Sequence, residues 1–184
     1  MREIIAFDKD LFLTINDKHV EWLDPVMLFF SSYTGWTTIA LLILLYVIYK
    51  GRQRRWSVAI FTVLTVLTTS MLNNVVKMIV MRPRPIHEEV FADVIHAIES
   101  YDASYSFFSA HSANSFALAV FAAFSVRRWS FSVMALLWAA TVAYSRIYVG
   151  KHYPLDVVVG ILFGILMAYF WRWVFDYYKG IKSN

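Results

Sequence analysis

The sequence predicts an all-α membrane protein: a polytopic bundle of about five transmembrane helices, preceded by a helix lying at the interface. Three observations carry this. The 184 residues are 59% hydrophobic with a mean hydropathy of +0.54, and charged residues make up only 16%, below the roughly 25% of soluble domains. Apolar stretches recur at lengths close to the about 20 residues that a span requires. The links between them alternate between strongly basic and weakly charged, as the links of a threaded chain do.

The elements follow in order. Residues 1–24 set Ile4, Ile5, Leu11, Phe12 and Ile15 at helical spacing among charges, the pattern of an amphipathic interfacial helix. They are too charged for a cleavable leader with an apolar core. Spans are expected at about 25–49, 56–81, 111–126, 129–147 and 154–175, the third being short and completed by polar residues at its start. The second should stop near Met81, because Pro83 biases Arg82 away from helix. The link 82–110 is long for a compact bundle, and links of that length usually carry function. All of 1–184 reads as one domain.

Orientation follows from charge. Links 50–55 and 127–128 and the tail from Arg172 hold nine basic residues against one acid, Asp176, with Trp56, Trp129, Trp171 and Trp173 along the same boundary. Basic links and an aromatic belt mark the cytoplasmic side. The N-terminus, loop 82–110 and link 148–153 are then expected outside, in the periplasm for an inner (plasma) membrane protein. The chain has no cysteine, which excludes disulfides and thiolate metal sites. Nothing in its charge pattern asks for a nucleic acid.

Three polar clusters converge on that outer face. Lys77 ends the second span, followed by Arg82-Pro83-Arg84-Pro85. Ser109-Ala110-His111-Ser112 opens the third, where free N–H groups favour an anion. Arg146 closes the fourth, and His152 and Asp156 flank the start of the fifth. The spacing lets the Asp156 carboxylate reach back to one imidazole nitrogen of His152 and leave the other to attack. A lysine, two arginines and a helix start suit a phosphoryl group, whose transfer depends on positioning and charge stabilisation. Two histidines can serve as nucleophile and general acid. No Asp/Glu cluster offers itself to Mg²⁺, so the expectation is a metal-independent site without cofactor.

These segments resemble the motifs K-x6-R-P, P-S-G-H and S-R-x5-H-x3-D of the PAP2-type phosphatases, a family of integral membrane lipid phosphatases sharing a core with vanadium-dependent haloperoxidases. Here they read Lys77…Arg84-Pro85, Phe108-Ser109-Ala110-His111 and Ser145-Arg146…His152…Asp156. The middle motif departs twice, with Phe108 for proline and Ala110 for glycine. The resemblance implies a phosphohistidine on His152, oriented by Asp156, with His111 protonating the leaving oxygen and then helping to activate water. It implies phosphate binding by Lys77, Arg84, Ser109, Ala110 and Arg146, and inhibition by vanadate. It also implies a lipid phosphate or diphosphate substrate drawn from the membrane, with undecaprenyl diphosphate first. Lipid A phosphate, phosphatidylglycerol phosphate and phosphatidic acid are the alternatives, and phosphotransfer the rival reaction.

Structural readings stand beside these. His152 and Asp156 could cap a helix, and Lys77 could snorkel to the interface. Arg82 lies outside the motifs and could contact a phosphate or lipid headgroup, but reads first as a solvated charge. His87, Glu88, Glu89, Asp93, His96, Glu99 and Asp102 match no metal spacing and read as a solvated acidic loop. Gly160-x-x-x-Gly164 reads as helix packing inside the bundle, and Asn73 and Asn74 as interhelical hydrogen bonding.

Overall fold

In the computed structural model, which describes residues 2–51, 54–91, 94–99 and 104–181, the chain forms seven α-helices and no strand among those residues. They are α1 (Arg2–Asn16), α2 (Asp24–Ser31), α3 (Tyr33–Lys50), α4 (Arg55–Val80), α5 (Ala110–Val126), α6 (Trp129–Tyr148) and α7 (Pro154–Ile181). Four of them, α3, α4, α6 and α7, are long and apolar enough to cross a membrane, and α5 is apolar but shorter, at 17 residues. The shortness of the third span is thus retained.

The expected span at 25–49 is two helices. Ser32 adopts extended backbone and its Oγ accepts from Gly35 N at 3.0 Å, capping α3. A serine that takes an orphan N–H in this way starts a new helix. A Cβ on Gly35 would lie 2.0 Å from the Phe29 carbonyl oxygen, so only glycine permits so tight a fold-back. The short α2 packs on α6 instead of continuing the span.

Helix α5 is the hub, lying against α7, α6, α4 and α3. Its small residues Ala113, Ala117, Ala119 and Ala122 are fully buried. Gly160 and Gly164 face it from α7, where a Cβ would sit 2.7 Å from Ser109 O and 2.2 Å from Ala113 O respectively. The glycine pair therefore packs inside the bundle, as expected, by backbone approach that a side chain would block. Away from the site, Leu118, Phe121, Trp138 and Phe175 fill the interior. Trp171 donates to Thr68 Oγ1 at 2.8 Å, tying α7 to α4.

Helix α1 does more than lie at an interface. Phe12 is fully buried against Phe91 and Tyr153. The Asn16 amide donates to the Tyr148 carbonyl at 2.9 Å and accepts from His96 N at 2.7 Å. It satisfies backbone groups at the end of α6 and in the loop, so α1 closes the polar end of the bundle. At the opposite end the links rich in basic residues come together: Tyr49 and Lys50 line one surface hollow with Val126 and Arg128, and Arg172 on α7 donates to Phe124 O on α5.

Candidate active site

The α4–α5 loop supplies the first group of site residues. Helix α4 ends at Val80, with Met81 in the left-handed region (φ 48°) turning the chain into Arg82. Lys77, one turn before the end, is buried and donates to Tyr105 O at 2.7 Å. It does not snorkel. Arg84 donates to Ser104 O at 2.8 Å, Ser104 Oγ at 2.7 Å and Lys151 O at 3.1 Å. The same guanidinium meets His152 Nε2 at 3.1 Å. Residues 104–105 thus clamp both cations, and Arg84 touches the histidine.

Ser109 caps α5, accepting from Ser112 N at 3.4 Å and Ser112 Oγ at 2.9 Å. Its own N–H donates to Asp156 O at 3.0 Å, joining the starts of α5 and α7. Asn73 holds the preceding residue by donating to Phe108 O at 2.7 Å. Ala110 opens the helix in ordinary backbone, since positive φ among described residues is confined to Met81, Arg127 and Gly150. Alanine is therefore sterically acceptable where the motif has glycine.

His111 is nine-tenths buried, and its Nε2 has no hydrogen-bond partner among the described residues. It lies against Tyr33 and Trp36, with ring centroids 5.1 and 6.4 Å away. Arg146, His152, Lys77 and Arg84 are all within its electrostatic reach. A cavity of about 410 Å³ opens beside it, bounded by α3, α4 and α5 and edged by Ser70, Asn74 and Asn114. A narrower apolar groove shares Trp36, Thr37, Val66 and Leu67 with that cavity and runs on between α3 and α4.

The third cluster spans the α6–α7 turn. Gly150, at φ +82°, makes the turn, and Lys151 N and His152 N both donate to Arg146 O at 3.1 Å. Arg146 donates to Ser31 O at 2.7 Å, to Ser31 Oγ, and to Glu99 Oε2 at 3.0 Å. Its charge is therefore met by a loop carboxylate.

His152 and Asp156 do not bond directly. Their closest approach is 3.7 Å, Nδ1 to Oδ2, longer than a hydrogen bond. The fully buried Ser106 fills the gap: its Oγ lies 3.3 Å from His152 Nδ1 and donates to Asp156 Oδ2. Asp156 also accepts from Tyr153 N at 3.0 Å, the N-cap residue of α7, as an acidic residue at the third helical position does. Its other oxygen is ion-paired with Arg82 at 2.7 Å.

Arg82 is the main departure from expectation. It is no solvated charge but a bridge between Asp156 and Asp8 of α1 (2.7 Å each), stacked 4.0 Å over the Tyr153 ring. Burial opposes its charge, but the two carboxylates more than offset this and hold it above its ordinary pKa. Asp8 also accepts from Leu155 N at 2.8 Å, capping α7 from another helix. Nothing local in the sequence signals Ser106 or Asp8, which lie 50 and 147 positions from their α7 partners Asp156 and Leu155.

Glu88, His96 and Glu99 of the acidic loop are likewise partnered rather than solvated, while Glu89 is exposed as expected. Glu88 pairs with Lys9 and accepts from Tyr153 OH at 2.7 Å; burial and Glu88 together push the Tyr153 hydroxyl upward. His96 contacts Asp24 at 3.0 Å. Asp93 and Asp102 lie outside the described residues. Among the described residues no group of three or more His, Asp or Glu side chains could hold a metal ion.

Comparison with known proteins agrees with this architecture. The PAP2 superfamily pattern matches residues 57–179. Lipid A 4'-phosphatase of Bacteroides thetaiotaomicron is 33% identical over 164 residues, covering 85% of this chain and 72% of that protein. Undecaprenyl-diphosphatase of Sulfolobus acidocaldarius is 28% identical over 168 residues, covering 90% and 77%. In fold, the chain resembles the crystal structure of a transmembrane PAP2-type phosphatidylglycerolphosphate phosphatase from Bacillus subtilis, with a TM-score of 0.77, 21% identity, and coverage of 96% of this chain and 88% of the other. With its apolar helices, its three motifs gathered at one end of the bundle and a family match across most of its length, this multi-pass membrane chain belongs to the PAP2 superfamily and is a phosphatase of that family.

Proposed function

We propose that the protein hydrolyses the phosphate or diphosphate headgroup of a membrane lipid at the periplasmic face, without metal, through a phosphohistidine on His152. The observation that carries this is the two-sided environment of His152. Its Nε2 faces the Arg84 guanidinium at 3.1 Å, while Nδ1 is turned to Ser106 and the Asp156 carboxylate behind it. One nitrogen is placed to attack a phosphorus whose oxygens Arg84 can grip.

The chemistry then runs on this chain's residues. Lys77, Arg84, Arg146, Ser109 and the N–H groups near Ala110 bind the phosphoryl oxygens and stabilise charge in the transition state. His152 Nε2 forms the N–P bond as the P–O bond to the leaving group breaks, and His111 protonates that oxygen. Water then attacks the phosphorus as the N–P bond to His152 breaks, and the now neutral His111 takes the water proton. To reach a phosphoryl oxygen, Arg146 exchanges its contacts with Ser31 and Glu99, and Lys77 its contact with the Tyr105 carbonyl, for the phosphate.

Two lipid substrates have support. Undecaprenyl diphosphate is supported by the apolar groove between α3 and α4, which offers an aliphatic tail a place to lie, and by the Sulfolobus relative, which is named for that substrate. Lipid A 4'-phosphate is favoured by a separate observation. The cavity beside His111, where the leaving group must lie, is edged by Ser70, Asn74 and Asn114, hydrogen-bonding groups suited to a sugar; two relatives also carry that activity in their names. Phosphate release from both lipids, with phosphatidylglycerol phosphate and phosphatidic acid alongside, should be measured with purified protein in EDTA. We expect release from one of the first two, inhibited by vanadate. Activity that disappears in EDTA and returns only with a divalent ion contradicts the metal-independent mechanism. Phosphate appearing only when an acceptor lipid is present contradicts hydrolysis.

A further inference from the structure

We infer that Ser106 is the positioning residue of the nucleophile, a hydroxyl relay that fixes the His152 proton on Nδ1 and leaves the lone pair on Nε2. The inference rests on the phosphohistidine reading above and adds a residue that lies in none of the three motifs. The Asp156 carboxylate accepts on Oδ1 from Arg82 and on Oδ2 from Tyr153 N; as an ionised acceptor it has no proton to give. Ser106 has a single hydroxyl proton, and the hydroxyl donates it to Asp156 Oδ2. Only lone pairs then remain on Oγ toward His152 Nδ1, 3.3 Å away. That contact is a hydrogen bond only if Nδ1 carries the proton. In the neutral ring, Nε2 is then the unprotonated nitrogen, and it is the one facing Arg84 at 3.1 Å. The opposite tautomer would aim an N–H at a guanidinium and set the Nδ1 lone pair against those of Ser106 Oγ.

The hydroxyl is held for this task. Ser106 is fully buried, and its backbone N–H donates to Arg82 O at 2.8 Å, so the residue that neutralises Asp156 also anchors Ser106. During attack the Nε2 lone pair forms the N–P bond, the P–O bond to the leaving group breaks, and the leaving oxygen takes its proton from His111. The Nδ1 proton stays on the ring, donated to Ser106, and the positive charge of the phosphoimidazolium lies 3.7 Å from Asp156.

Ring ¹⁵N NMR of ¹⁵N-histidine-labelled protein tests the assignment without any change to Ser106, His152→Ala serving to identify the signal. We expect a protonated Nδ1 and an unprotonated Nε2 in the neutral ring; an Nε2–H tautomer overturns the inference. Kinetics supply the second arm. Ser106→Ala should lower kcat at least about tenfold, as loss of an outer orienting partner does, with KM changed less than twofold and the tautomer signal lost. Ser106→Thr, which keeps the hydroxyl, should recover most of the rate. Wild-type kcat and an unchanged spectrum in Ser106→Ala overturn the relay while leaving the nucleophile in place. Activity in His152→Ala instead overturns the phosphohistidine reading itself.

Discussion

At the level of single residues, the site separates the ionisable side chains of the three motifs from the groups that hold them in place. Lys77, Arg84, Arg146, His111 and His152 stood out in the sequence because cationic and ionisable side chains at helix ends in an apolar chain are costly and demand a reason. Ser106 and Asp8 did not, and Arg82 reads there as a solvated charge, because each acts through contacts across the fold: Arg82 reaches Asp156 and Asp8 across 74 positions in either direction. A serine in a loop carries no signal until its neighbours are known. The division of labour between the histidines predicts an asymmetry. His111→Ala should lower steady-state turnover of lipid substrates by about 10²–10⁴-fold. With p-nitrophenyl phosphate, whose leaving group needs no proton, it should still release a burst of nitrophenol and then stall at the phosphoenzyme. Rapid-mix absorbance checks this; equal losses on both substrates in the first turnover would remove His111 from the acid role.

At the level of elements, the helix count depended on one residue. The firmest apolar part of 25–49 begins only at Thr37, and Ser31-Ser32-Tyr33-Thr34-Gly35 before it is the capping and turning segment that separates α2 from α3. The role of α1 was only half legible: its apolar positions were clear, but the burial of Asp8 at 4% exposure depends on Arg82 and Leu155 N. Removing one member of a buried ion pair costs about 3–5 kcal/mol because the other charge is left unpaired. Arg82→Met should therefore lower the thermal midpoint in detergent well beyond Arg172→Met, whose Asp176 partner is half exposed. Equal midpoints would argue against a structural role for the Asp8–Arg82–Asp156 chain. The α5–α7 contact gives a second check. Gly164→Ala places a methyl 2.2 Å from Ala113 O and should destabilise by about 1–3 kcal/mol as an overpacked position, whereas Gly180→Ala meets nothing within 4 Å and should not.

At the level of the whole molecule, α3–α7 thread the bundle so that the side chains of the three motifs gather at one end and the basic links at the other. The outward orientation proposed for the site follows the positive-inside rule. The absence of native cysteines makes this directly measurable with single introduced ones. In intact cells, Val90→Cys on the site loop should react with a membrane-impermeant maleimide, and Arg128→Cys should react only after permeabilisation; the reverse pattern would place the site in the cytoplasm. The most direct measurement of the central claim is the covalent intermediate itself. Protein quenched during turnover of a ³²P-labelled lipid phosphate, digested under alkaline conditions and sequenced by mass spectrometry should carry an acid-labile phosphoryl group on His152, with none in His152→Ala. A phosphoryl group on another residue, or wild-type hydrolysis by His152→Ala, would contradict the account.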